Sequence, residues 1–126
     1  MKDENNPSSD LSVRTKEFAL RIIRLFSSLP KTVQAQVLGK QVLRSGTSIG
    51  ANYREAKRSR SKAEFIAKIG DCLKELDETS YWLEILMESG LVLSSKLNGL
   101  LDECDQLIAI LTTISKKTKA SAFHTS

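Results

Sequence analysis

Between Phe65 and Leu86 the apolar residues obey one rule. Phe65, Ile69, Cys72, Leu76, Thr79, Leu83 and Leu86 fall in strict alternating steps of four and three. A strand shows a period of two, so this spacing admits only an amphipathic helix. Ile66, Leu73, Trp82 and Met87 broaden the stripe beyond a two-helix seam. Ser61-Lys62-Ala63-Glu64 opens the segment as a capping box, and Gly90 closes it as a left-handed C′ residue with Leu91 as its hydrophobic contact. Such a helix of nearly thirty residues is about 40 Å long at roughly 1.5 Å per residue.

Three further segments carry the same period. Asp10 reads as the N-cap of a first helix, with Thr15, Phe18, Ile22, Leu25 and Leu29 on its inner face and Ala19, Ile23 and Phe26 widening it. Pro30 ends that helix. A second starts near Thr32 and turns Val33, Val37, Leu38, Val42, Ile49 and Tyr53 inward. Its middle, Ser45-Gly46-Thr47-Ser48-Ile49-Gly50-Ala51-Asn52, has loop propensity. Gly46 and Gly50 stand one turn apart, however, so we read it as helix in close contact with a neighbour, a kink being the alternative. The last helix opens at Ser94 or Ser95, with Leu97, Leu100, Cys104, Leu107, Leu111 and Ile114 inside, Leu101 and Ile108 beside them, and Lys116, Lys117 and Lys119 at its end. Short connections make sequential helices antiparallel, so the expectation is an all-α, up-down-up-down four-helix bundle over 10–119, with a flexible leader over 1–9 and a flexible tail over 120–126.

The chain has 126 residues, one domain by length, and its apolar fraction of 40% with 6% aromatics implies an aliphatic core. No apolar run reaches membrane-span length and no signal peptide opens the chain. Cys72 and Cys104 stand far apart among apolar residues and read as buried free thiols, which points to a reducing cytoplasm.

Catalytic chemistry has little to work with. His124 is the sole histidine and falls in the expected tail. The chain therefore lacks inward Glu-x-x-His pairs, a zinc set and a Ser/His or Cys/His arrangement, and it has no glycine-rich phosphate loop. We expect neither an enzyme nor a bound cofactor or metal. The acids of the third helix read as a solvated face. Glu75 and Glu78 flank the apolar stripe, and a partly inward carboxylate there needs a donor, for which Arg44, Ser48 and Asn52 are candidates.

The charge map carries more information. Lys+Arg number 19 against 15 Asp+Glu, a net charge of +4. From Lys40 to Lys62 only Glu55 is acidic, and Arg54-Glu55-Ala56-Lys57-Arg58-Ser59-Arg60-Ser61-Lys62 joins helices two and three at one end of the bundle. Acids concentrate between Glu64 and Asp105. A basic end contacts phosphates through arginine and serine, or it meets the acidic face of another protomer. Nothing reads base edges, so nucleic-acid binding is expected to be electrostatic. Tyr53 is the only aromatic within the cluster, which gives base stacking weak support. Arg44, Arg54, Lys57, Arg58, Arg60 and Lys62 are the candidate contact residues.

Ser45-Gly46-Thr47-Ser48-Ile49-Gly50-Ala51-Asn52-Tyr53-Arg54-Glu55-Ala56 resembles the helix-two signature of the bacterial four-helix-bundle proteins encoded in intervening sequences of 23S rRNA genes. Phe65-Ile66, Leu73-Lys74-Glu75-Leu76-Asp77-Glu78-Thr79 and Tyr81-Trp82-Leu83 are similar to its helix-three signature. The resemblance runs from about Leu11 to Lys117. It implies an up-down bundle assembled as a homopentameric ring. Through a relative, the accessory variability protein of diversity-generating retroelements, it also implies nucleic-acid binding and association with a reverse transcriptase. A protein–protein scaffold that docks an enzyme without touching nucleic acid is the alternative expectation.

Overall fold

The computed structural model describes residues 7–124, with the side chains of 11–121. Four helices follow in order, α1 Pro7–Ser28, α2 Val33–Lys57, α3 Lys62–Glu88 and α4 Ser94–His124, and no strand occurs among the described residues. Contacts between neighbours show that successive helices run antiparallel. Lys57 of α2 meets Ser12 of α1; Lys68 and Thr79 of α3 meet Glu55 and Ser45 of α2; Lys62 of α3 meets Ser121 of α4. Residue numbers fall on one helix as they rise on the next, the signature of an up-down-up-down four-helix bundle.

The helices outrun the expected termini. Asp10 lies inside α1, not at its cap, and α4 passes Lys119 and Ala120 to end at His124. Residues 7–9 and 120–124 are therefore helical, whereas 1–6 and 125–126 lie outside the described residues. Pro7 stands at the first position of α1, where proline is tolerated, 120–124 holds neither proline nor glycine, and polarity alone does not end a helix.

Most inward stripes are as expected. Thr15, Phe18, Ile22 and Leu25 of α1 are buried with Leu29 just past its end, as are Ile69, Cys72, Leu76, Thr79, Leu83 and Leu86 of α3 and Leu97, Leu100, Cys104, Leu107 and Leu111 of α4. Three residues are not. Ile23 of α1 and Val33 and Val37 of α2 are exposed, Val33 at 77%. Val37 and Val42 are five residues apart and so stand about 140° apart round a helix of 3.6 residues per turn; one of them must leave the core. The buried face of α2 is instead Ala35, Gly39, Val42, Ser45, Gly46, Ile49, Tyr53 and Ala56.

That face is built of small residues because α1 and α3 both close on α2. It is unbroken through the serine-glycine stretch, as its close-contact reading required. A Cβ added at Gly46 would stand 2.8 Å from Ile22 Cγ1, and one at Gly50 would stand 3.2 Å from Thr15 Oγ1. On the α3 side, Thr79 Oγ1 lies 2.8 Å from Ser45 Oγ, and the Cys72 thiol points at the Ile49 carbonyl at 3.6 Å. α1 meets α4 along the least intimate seam, bridged by Arg14, which gives Glu103 two hydrogen bonds of 3.0 and 2.8 Å and Gln106 a third of 3.0 Å.

The caps differ in detail from the expected motifs. Ser61 Oγ accepts from the Glu64 amide at 3.1 Å, but the Glu64 carboxylate takes the Arg60 amide at 2.7 Å, one residue before the cap. Gly90 is left-handed at φ 78° and its amide bonds Met87 O, Leu91 packs against the core as expected, and the longer return bond runs from the Val92 amide to Leu86 O. Both variants still satisfy orphan helix-end groups.

Candidate nucleic-acid interface

The α2–α3 connection is only four residues long, and each backbone turn in it is tied down. The Arg58 and Ser59 amides return to Glu55 O and Ala56 O at 3.1 Å each, and Arg60 and Ser61 are held by the Glu64 and Ser61 capping bonds. The connection is thus a rigid platform. Arg54 and Lys57 lie in the last turn of α2, Arg58 is its C-cap, Arg60 follows, and Lys62 begins α3. Five of the six candidate residues therefore share one end of the bundle. The α1 N-terminal half and the α4 C-terminal turns reach the same end, since Lys57 Nζ donates to Ser12 Oγ at 2.9 Å and Lys62 Nζ to Ser121 Oγ at 3.2 Å.

Arg44 is apart from them. It sits ten residues before Arg54, about 15 Å up the helix at roughly 1.5 Å per residue. Its guanidinium bridges Glu75 at 3.3 Å and closes on Glu78. Glu75 is mostly buried, with its side chain 17% exposed. This is the donor expected for an inward carboxylate beside the apolar stripe, and of the three candidates it is Arg44 that supplies it. Ser48 instead donates to the Arg44 carbonyl at 2.7 Å.

The electrostatics of the end are decided by Glu55. This lone acid of the cluster receives Lys68 Nζ of α3 at 2.7 Å, and the Glu55 hydrogen bond and charge raise the Lys68 pKa. Glu55 is thereby neutralised by a cation from outside the basic segment. The guanidinium groups of Arg54, Arg58 and Arg60 are exposed and form no hydrogen bond or ion pair among the described residues. Three unpaired arginines on a fixed platform can each take a phosphate bidentately.

Two grooves flank the platform. One, about 810 Å³, runs between α1 and α2 and brings Lys16 beside Arg54, Lys57 and Arg58 over a floor of Ala19, Gly50 and Ala51. The other, about 800 Å³, lies between the connection and α4, with Lys57, Arg60 and Lys62 above Phe65, Ile114 and Thr118. The second was not legible from the charge pattern. Phe65 and Ile114 fit a core stripe equally well, and only the α3–α4 register places them beside the arginines. Among the described residues no His, Cys, Asp or Glu cluster could hold a metal. Nor is any helix among them long and apolar enough to cross a membrane.

Residues 9–113 match the family model described as the 23S rRNA-intervening sequence protein. The chain belongs to that family. Among solved structures it is similar to a protein of unknown function from the S23 ribosomal protein family of Bacteroides thetaiotaomicron, at 38% identity and a TM-score of 0.81, over 86% of this chain and 97% of that one. No functionally curated protein is measurably similar to it. The intervening-sequence family match covers α1 to most of α4 and includes the whole basic platform.

Proposed function

We propose that this intervening-sequence protein is a non-enzymatic, oligomeric scaffold that binds nucleic acid electrostatically through its α2–α3 end. One observation carries the reading. Among the described residues Arg54, Arg58 and Arg60 stand exposed and unpaired on the connection, while the Glu55 carboxylate is engaged by Lys68 and that of Glu64 by the Arg60 amide. The α2 dipole favours Arg54 and Arg58 at its C-terminal end but gives nothing to Arg60, and a polyanion relieves the repulsion among the three. The family is named for intervening sequences of 23S rRNA, which makes ribosomal RNA the first target class to try. The platform reads no base edges, so affinity rests on phosphates.

Self-association is part of the same proposal. Leu20 and Ile23 of α1 and Val33 and Val37 of α2 are exposed and offer apolar contacts to a second copy. A symmetric oligomer, five copies by family resemblance, presents the platform several times, and avidity then multiplies weak contacts. The same apolar surface also favours the second reading, in which the chain docks an enzyme such as a reverse transcriptase and the basic end is a protein contact. Charge reversal at Arg58 or Glu84, followed by light scattering after size exclusion, changes the oligomeric mass if those charges hold copies together.

The deciding experiment titrates the protein into a labelled structured RNA and a matched DNA duplex at two salt concentrations. Affinity should fall steeply with salt, with a log–log slope of about −0.9 per phosphate neutralised on duplex DNA. The Arg54→Ala, Arg58→Ala, Arg60→Ala triple variant should lose up to about three such contacts from that slope while keeping its helical circular dichroism. Undiminished binding by the folded triple variant would refute the assignment.

A further inference from the structure

We infer that the groove between the α2–α3 connection and α4 takes an unpaired nucleotide of single-stranded nucleic acid, its base on Phe65 and Ile114 and its phosphate on Arg60. This rests on the function proposed above and names the substrate form. The groove is amphiphilic in the way a nucleotide is. Its volume of about 800 Å³ lies within the roughly 300–1,000 Å³ usual for ligand sites. Its floor is apolar and stiff. Tyr53 and Ala56 beneath it are buried, and Phe65 and Ile114 are packed against the core yet partly open. The rim is cationic, and the Ser61 hydroxyl, whose oxygen already accepts the Glu64 amide, keeps its own proton to donate.

A surface that bound only the outside of a duplex would need the rim and not the floor. Phosphates have no use for Phe65, and a paired base keeps its faces inside the stack. Only an unpaired nucleotide offers an apolar face and an anion at once, so the groove discriminates by strandedness. Every base has a π-face, so no sequence preference follows. Aromatic stacking contributes about 1–3 kcal/mol per base, equal to about 5–150-fold in affinity.

The test measures fluorescence anisotropy of the full chain with a labelled single-stranded RNA and with its duplex, each at two salt concentrations. Phe65→Ala should weaken single-strand binding about 5–150-fold. Phe65→Leu keeps an apolar side chain without the π-face and guards against unfolding; it should lose affinity for the single strand at least a few-fold. Both should leave duplex affinity and the salt slope unchanged, because Phe65 carries no charge. Single-strand affinity unmoved by a folded Phe65→Leu overturns the groove assignment, as does an equal loss for duplex. Duplex bound by the wild type with no single-strand binding overturns the groove alone. Binding of neither polymer removes the function proposed above and this inference with it.

Discussion

Replacing Gly46 by alanine tests whether α2 carries its glycines for the sake of α1. In an open helix interior the change stabilises by about 1 kcal/mol, because alanine loses less backbone freedom on folding. At Gly46 the new Cβ would stand 2.8 Å from Ile22 Cγ1 and 3.1 Å from Cγ2, against a side chain with no exposure and a branched, stiff χ1. Neither atom is the free end of a flexible chain, so α1 must move. Overpacking of this kind costs about 1–3 kcal/mol. The net change is a loss of up to about 2 kcal/mol. Gly70 supplies the control, since it is exposed in the middle of α3 and a Cβ there meets nothing within 4 Å. Gly70→Ala should gain the full propensity term of about 1 kcal/mol. Urea unfolding followed by circular dichroism should separate the two variants by about 1–3 kcal/mol, with thermal midpoints on opposite sides of the wild type. The mechanism predicts a change of sign as well. Ile22→Ala alone costs about 2–5 kcal/mol, and on that background Gly46→Ala should become stabilising, because the obstructing atoms are gone and the helix term remains. A Gly46→Ala protein as stable as Gly70→Ala, or a cycle with no coupling, would refute the close-contact account of α2.

Two further perturbations separate structure from site. Arg44→Ala should leave nucleic-acid affinity and its salt slope unchanged while lowering stability by about 1 kcal/mol or less, because the guanidinium is half exposed and bridges two carboxylates of α3; a fall in affinity comparable to that of the arginine triple variant would return Arg44 to the interface. Burial holds Cys72 up to about 12 and Cys104 up to about 11, from an ordinary 9.0, so both thiols stay protonated in the folded chain at neutral pH. Iodoacetamide at pH 8 should therefore label neither until urea is added, and then label both, as intact mass spectrometry reads directly. The same displacement adds no pH dependence below about 9 and lowers stability above it, because the unfolded chain releases protons that the native thiols keep; stability rising above about 9 would contradict the burial.

Large apolar residues announced the fold, and small ones concealed half of α2. Spacing placed the stripes of α1, α3 and α4 because leucine, isoleucine and phenylalanine weigh heavily in any count of periodicity. On α2 the buried positions are Ala35, Gly39, Ser45 and Gly46 as much as Val42 and Ile49, and hydrophobicity assigns the first group no face. Val33 and Val37 then appear to lead a stripe that they do not share. The basic end was legible for a different reason. Arg54 to Lys62 are contiguous in sequence and join two antiparallel helices, so no long-range packing is needed to bring them together. Contiguity could not show that Arg44 is held by Glu75 and Glu78, or that Lys68 neutralises Glu55. Those pairs depend on the α2–α3 register, as the groove at Phe65 and Ile114 depends on that of α3 and α4.

The two functional readings make opposite demands on the same arginines, and this allows them to be separated without identifying a partner. If Arg54, Arg58 and Arg60 hold copies together, nucleic acid and self-association compete for one surface. Saturating polyanion then binds the dissociated form and must lower the oligomeric mass by mass action. If the exposed apolar residues of α1 and α2 hold copies together instead, the platforms remain open, and a nucleic acid long enough to span two of them binds the oligomer more tightly than the monomer. Linkage is reciprocal, so such a ligand must in turn stabilise the oligomer. Light scattering with and without a long RNA therefore distinguishes the readings by sign alone. Mass falls if the basic end is the assembly contact, and mass per nucleic-acid strand rises if it is the nucleic-acid interface.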